Sequence, residues 1–182
     1  MINLHNSLYI EQWRNNQRID TRKTHNEINY FGRARLLQKV FFPSMFIGSL
    51  NWYIGLIDNL TYISTSETDL LGQPLQWTEL QSFAVENDIN PSGRLPWTPD
   101  ATASVGSIEN TILNNLTLTE DGDIKGIFIT NNSEFGVIGG GILWATAILV
   151  SGITARANDV LKIGYRVSLT NDPDYVSDEG FP

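Results

Sequence analysis

Leu161, Ile163, Tyr165, Val167 and Leu169 alternate with Lys162, Gly164, Arg166 and Ser168. A period of two puts the first set on one face of an extended chain and the second on the other, so the pattern predicts a half-buried strand from Val160 to Leu169. Residues 8–13, rich in β-branched and aromatic side chains, predict a strand that turns at Asn15-Asn16 and returns over 18–22 as an N-terminal hairpin, because asparagine tolerates the left-handed region. Thr24 and Glu27 have capping-box spacing, and Ile28, Phe31, Ala34, Leu37 and Phe41 then recur every three or four residues until Pro43. This predicts a single short helix within 29–42. Gly32 weakens the helix by about 1 kcal/mol relative to alanine.

Further strands are expected at 52–57, 77–85, 111–119, 124–130 and 142–150. The last is apolar enough to be buried on both faces. Asp121-Gly122 is a two-residue hairpin signal joining 111–119 to 124–130. The polar residues 58–76 predict a long loop, and the proline-containing residues 86–100 an ordered irregular one. Short strands separated by turns imply a mainly β, single-domain β-sandwich or jelly-roll-like fold with one short helix and an extended N-terminal hairpin. The expected organisation is an N-terminal hairpin or arm at 1–25, a sandwich at 26–170 and an acidic C-terminal tail at 171–182.

Composition sharpens this picture. The 182 residues are 41% apolar and include no cysteine. The core therefore needs no staple, and disulfides, thiolate metal sites and cysteine nucleophiles are excluded. The net charge of −8 is unevenly spread: residues 1–40 carry seven bases and three acids, and the remainder five bases and seventeen acids. An acidic body repels phosphate backbones, which argues against a nucleic-acid partner, whereas the basic N-terminal stretch suits an acidic protein surface. No secretory signal is expected, since the start has neither a basic segment nor an apolar one. Residues 135–155 carry no charge, but Gly139-Gly140-Gly141, Ser151 and Gly152 divide them into short pieces, so strands rather than a membrane segment are expected.

No set of residues with catalytic spacing emerges, and a non-enzymatic protein without cofactor or metal is expected. His5 and His25 lack companions at metal-ligand spacing. Asp121-Gly122-Asp123 lacks the further ligands of a calcium loop. Asn59, Asn115 and Asn131 match the glycosylation pattern by chance. Of the tryptophans, Trp52 and Trp144 sit in apolar strands and are expected in the core, whereas Trp97, between Pro96 and Pro99, is a candidate for an exposed contact.

The succession Trp52-Tyr53-Ile54-Gly55-Leu56, Trp77-Thr78-Glu79, Arg94-Leu95-Pro96-Trp97-Thr98-Pro99, Gly106-Ser107-Ile108-Glu109-Asn110 and Asp123-Ile124-Lys125-Gly126-Ile127-Phe128-Ile129-Thr130 resembles a group of small tailed-bacteriophage virion proteins. So do Leu143-Trp144-Ala145-Thr146-Ala147 and Asn158-Asp159-Val160-Leu161, and the opening Tyr9 to Arg14 is similar to the N-terminal hairpin of longer members. The resemblance spans about residues 8–170, and the order of the segments carries it. Asp100 and Asn158 stand where the group usually has glycine. The resemblance implies a virion structural role, foremost a capsid decoration or cement protein made in the bacterial host cytoplasm. Its implied partners are the major capsid protein and further copies of itself on the capsid surface. The alternatives are a glycan- or receptor-binding module of a head or tail fibre, with Trp97 in a sugar site, and a tail or adaptor component. Trp97, Arg94, Arg14, Arg18 and Arg22 are the candidate interface residues.

Overall fold

The computed structural model describes residues 3–25, 27–28, 30–41, 51–58, 77–85, 93–99, 107–110, 114–135 and 141–170. Its strands are β1 (Asn3–Arg14), β2 (Gln17–His25), β3 (Glu27–Ile28), β4 (Trp52–Ile57), β5 (Glu79–Leu80), β6 (Phe83–Val85), β7 (Leu95–Trp97), β8 (Ser107–Glu109), β9 (Asn114–Leu118), β10 (Gly122–Thr130), β11 (Leu143–Ala155) and β12 (Val160–Thr170), with one helix, α1 (Tyr30–Phe41). They form two antiparallel six-stranded sheets. The first runs β2-β1-β12-β9-β6, with β8 also on β12; the second runs β3-β11-β10-β4-β5, with β7 also on β4. The fold is mainly β, as the alternation predicts.

The core lies between the sheets. Leu8, Ile10, Leu116, Leu161, Ile163 and Tyr165 of the first sheet meet Ile54, Leu56, Ile127, Ala145, Ala147 and Ile153 of the second, all essentially inaccessible. The alternation of β12 holds: Leu161, Ile163 and Tyr165 point inward. On its other face Lys162 is half-buried, while Arg166 is only 8% exposed and paired with Glu109 at 2.6 Å. Behind the second sheet, Ile57, Phe128 and Leu143 form a smaller cluster with Trp77.

The N-terminal hairpin is present and longer than predicted. Asn15 and Asn16 both have positive φ, 51° and 61°, the conformation a two-residue turn between twisted strands requires. The hairpin is integral to the sandwich rather than an arm. β1 lies between β2 and β12, paired with β12 from Asn3–Thr170 to Trp13–Val160.

Three sequence expectations are corrected. Asp121-Gly122 does not close a hairpin: β9 pairs with β12 and β6, β10 pairs with β11 and β4, and the chain crosses between sheets there. The Asp121 carboxylate instead accepts the Ala157 N–H at 2.8 Å. The 77–85 segment likewise splits into β5 and β6, which belong to different sheets. Thr24 and Glu27 are strand residues, so no capping box forms, and the Thr24 hydroxyl donates to the Ile148 carbonyl at 3.2 Å. The helix is found as predicted, but Leu37 and Phe41 are exposed, while Gly32 is buried and Leu36 packs on the core. A β-carbon at Gly32 would lie 2.6 Å from the Trp144 carbonyl oxygen, so glycine is what lets the helix sit on β11.

Within the predicted loop 86–100, Gly93 bridges to Glu134 and residues 95–97 form β7 on β4. Pro43, the loop residues 59–76 and 86–92, Asp100, the turn glycines 139–140 and the tail 171–182 lie outside the described residues. Among the described residues, no helix is long and apolar enough to cross a membrane.

Candidate interaction surface

Two of the predicted interface residues serve the interior. Arg94 is 2% exposed. Its guanidinium donates to both carboxylate oxygens of Glu79, at 2.6 and 2.9 Å, and to the Asn132 carbonyl at 2.9 Å, and it lies 5.2 Å from the centre of the Phe128 ring. A bidentate, buried pair of this kind leaves the cation no free donor plane to offer a partner. Trp97 is half-buried. It meets the Tyr165 ring edge-to-face at 5.2 Å, and its indole N–H donates to Asn110 at 3.3 Å.

Asn110 does work on β12 that no strand does. β9 pairs with β12 up to Ile163 and β8 resumes at Arg166. In the gap, the Asn110 side chain donates to the Ile163 carbonyl at 2.9 Å and accepts the Tyr165 N–H at 2.7 Å, standing in for a peptide group. The Tyr165 hydroxyl in turn accepts the Trp144 indole N–H at 2.9 Å, and Trp144 packs 5.5 Å from Trp52. Both tryptophans belong to the interior packing, as their strand positions predict.

Arg14 is tied to Asp159 at the β11–β12 turn, where Asn158 adopts φ 70°, the left-handed region that asparagine tolerates. Asp159 is 1% exposed and accepts from Arg14 Nε and a terminal guanidinium nitrogen, both at 2.7 Å, from Gln12 at 2.7 Å and from the Arg156 N–H at 2.9 Å. The Arg14 hydrogen bonds, against the opposing effect of burial and with help from Arg156 and Gln12, hold its carboxyl down to about 2. This cluster locks the sheet-crossing turn to β1.

Arg18 and Arg22 remain at the surface, each beside a carboxylate. Arg22 pairs with Asp20 at 2.9 Å, and Arg18 with Glu11 at 2.8 Å. Glu11 is the centre of a cluster that single-residue inspection of the sequence misses. Tyr9, Glu11 and Trp13 occupy alternate positions of β1 and so share the outer face of the first sheet. The Tyr9 hydroxyl and Arg18 donate to one Glu11 oxygen at 2.7 and 2.8 Å, and the Trp13 indole N–H donates to the other at 2.7 Å. Burial alone would raise the Glu11 carboxyl; these donors outweigh it and hold the carboxyl below its ordinary value. Lys162, opposite Glu11 on β12, places its ammonium 4.0 Å from the centre of the Trp13 ring.

The result is a patch of half-buried Tyr9 and Trp13 with exposed Arg18 and Lys23, held around one buried carboxylate. Its side chains are already fixed, so little rotamer entropy is lost on docking, and Trp, Tyr and Arg are the residue types that dominate contact energies. The Tyr9-Glu11-Trp13 spacing was visible in the sequence; the contributions of Arg18 and Lys162 depend on strand register.

The register also brings His25 opposite Ser7, two residues from His5, on this same face. Among the described residues, no group of three or more His, Asp or Glu side chains is arranged to hold a metal. Comparison with protein-family models, with curated proteins and with solved structures finds no match.

Proposed function

We propose that this chain is a non-enzymatic structural protein of a tailed-bacteriophage virion, a decoration or cement protein that binds the outer lattice of the capsid. The observation that carries the reading is the preorganised Tyr9–Glu11–Trp13 patch with Arg18 and Lys162. A flat aromatic and cationic sheet face suits docking on a folded protein surface rather than enclosing a small ligand. The order of the sequence segments shared with small phage virion proteins supports the same reading. Several of those segments build the frame behind the patch, β4, β7 and β10 among them. The partner is then the major capsid protein, and the site of action the capsid surface.

The glycan- or receptor-binding alternative was argued from Trp97, whose indole N–H is engaged by Asn110 and whose ring packs on Tyr165. That geometry favours a framework role for Trp97 and leaves Trp13 as the better-placed aromatic. Co-sedimentation of the purified protein with capsids tests the proposal. Trp13→Ala and Arg18→Glu should each weaken capsid binding by about tenfold or more, the range of a contact hot spot, at a temperature where circular dichroism shows the variant folded; both should also melt lower than wild type, because each takes a donor from the buried Glu11 carboxylate. Wild-type protein that fails to sediment with capsids, or variants that bind as well as wild type, would refute it.

A further inference from the structure

β2 is the outermost strand of the first sheet. It pairs with β1, and among the described residues no strand pairs with its other side. It is nine residues long, whereas the other marginal strands, β3, β5, β6, β7 and β8, have two or three. β11 also has a margin beyond β3, but its Ile148 and Thr154 carbonyls accept from the Thr24 and Gln12 side chains of the first sheet. That margin is therefore turned toward the first sheet, while the β2 edge is left as a template for a further strand.

From Asp20 to His25 the register of β2 with β1 is unbroken. The bulge lies opposite Gln12 and Trp13, and beside it Ile19 is 48% exposed. The Thr21 N–H is met by a neighbour on its own strand, the Asp20 carboxylate, at 2.8 Å. Asp20 also pairs with Arg22 at 2.9 Å, and the two side chains keep an open side, at 28% and 38% exposure. Standing two residues apart, they share one face of the sheet.

We infer that β2 pairs antiparallel with β2 of a second copy about a two-fold axis at Thr21, joining the two first sheets into one. In that register Thr21 faces Thr21, and Asp20 of each copy faces Arg22 of the other. The four charges alternate around the axis, each carboxylate between two guanidiniums. The pair within each chain is kept, and two pairs across the contact are added. Thr21 exchanges its N–H and carbonyl with the second copy, which releases Asp20 from capping that N–H and makes the flanking 20–22 pairs the closely spaced ones. Opposite charges directly across a ladder are favourable and like charges are not. An axis at Asp20, Arg22 or Lys23 would set that residue against itself, so charge selects Thr21. The contact is isologous and closes at the dimer. One strand-to-strand seam falls below the roughly 1,000 Å² of a stable interface, so the dimer is weak in isolation. The axis stands perpendicular to the sheet, so both outer faces point the same way. The β1 strands, and with them the two Tyr9–Glu11–Trp13 patches, then lie about 14 Å apart, three strand spacings. Two such patches engage one surface together and gain from it. The inference does not rest on the capsid reading, because the purified chain alone tests it.

Sedimentation velocity of the full chain, from low micromolar to near-millimolar concentration, is the test. The sedimentation coefficient should rise from the monomer value to the dimer value and stop there. Asp20→Arg sets four guanidiniums around the axis and Arg22→Asp four carboxylates, so each variant alone should dimerise about tenfold more weakly or worse. Mixed in equal amounts, the two variants restore the alternation and should form a one-to-one dimer. The double variant Asp20→Arg with Arg22→Asp restores it within one chain and should dimerise as wild type does, which keeps the test valid if a single variant folds poorly. A wild-type chain that stays monomeric throughout overturns the inference, as does association that runs past the dimer. Single variants that associate as wild type does, or a double variant that stays monomeric, also overturn it.

Discussion

At the scale of single residues, the most consequential side chains are polar ones that sequence inspection passes over. Asp159 has its carboxyl held at about 2, below the ordinary 3.8. A group depressed on folding stabilises the protein fully above its unfolded value and ceases to do so as pH falls through the folded one. The difference corresponds to about 2 kcal/mol. Acid titration of stability should therefore show a loss between about pH 4 and pH 2 to which Asp159 contributes. Asp159→Asn should remove that contribution and lower stability at neutral pH by about 2–4 kcal/mol, because it strips a partly buried Arg14 of its partner. Urea unfolding of the variant across this range checks both. Asn110→Ala should cost about 2–4 kcal/mol, since it leaves the Ile163 carbonyl and the Tyr165 and Trp97 N–H groups without the partner they now have. A cost below about 0.5 kcal/mol, typical of an unimportant surface site, would contradict the peptide-mimic role. Neither residue was marked by local pattern: each acquires its role from strands distant in sequence.

At the scale of elements, what was legible depended on how local the cause is. β12 and β4 were readable because alternation and apolar runs are properties of the segment itself, and the β1–β2 turn because Asn15-Asn16 alone sets its backbone. Asp121-Gly122 misled because partner choice is not local: Leu116 and Leu118 find their core positions in the first sheet, while Ile124 and Ile127 find theirs in the second. The helix existed where predicted, but its orientation was not legible, because the close approach of Gly32 to Trp144 decides it. That contact gives a prediction opposite in sign to helix propensity. Gly32→Ala should favour an isolated helix by about 1 kcal/mol. Here it should destabilise by about 1–3 kcal/mol through overpacking against the Trp144 backbone. Thermal unfolding decides the sign.

At the scale of the whole molecule, the N-terminal residues are structural before they are anything else. β1 lies between two strands and buries Leu8 and Ile10 completely. Removal of residues 1–25 should therefore abolish cooperative unfolding rather than free a stable sandwich, as near-ultraviolet circular dichroism would register. The same strand carries the proposed docking patch on its other face, so fold and function meet in one element. The charge asymmetry read from composition survives in altered form: Arg14, Arg18 and Arg22 each face a carboxylate of the same chain, and the predicted basic arm becomes a patch of fixed aromatic and cationic side chains. The half-buried β12 strand keeps its place in the core and adds Lys162 to that patch. Electron cryomicroscopy of virions is the most direct test of the central claim. The account predicts sandwich-shaped density on the outside of the capsid shell, with Tyr9, Trp13, Arg18 and Lys162 against a capsid subunit. Density confined to the tail, or on the shell with that face turned to solvent, would contradict it.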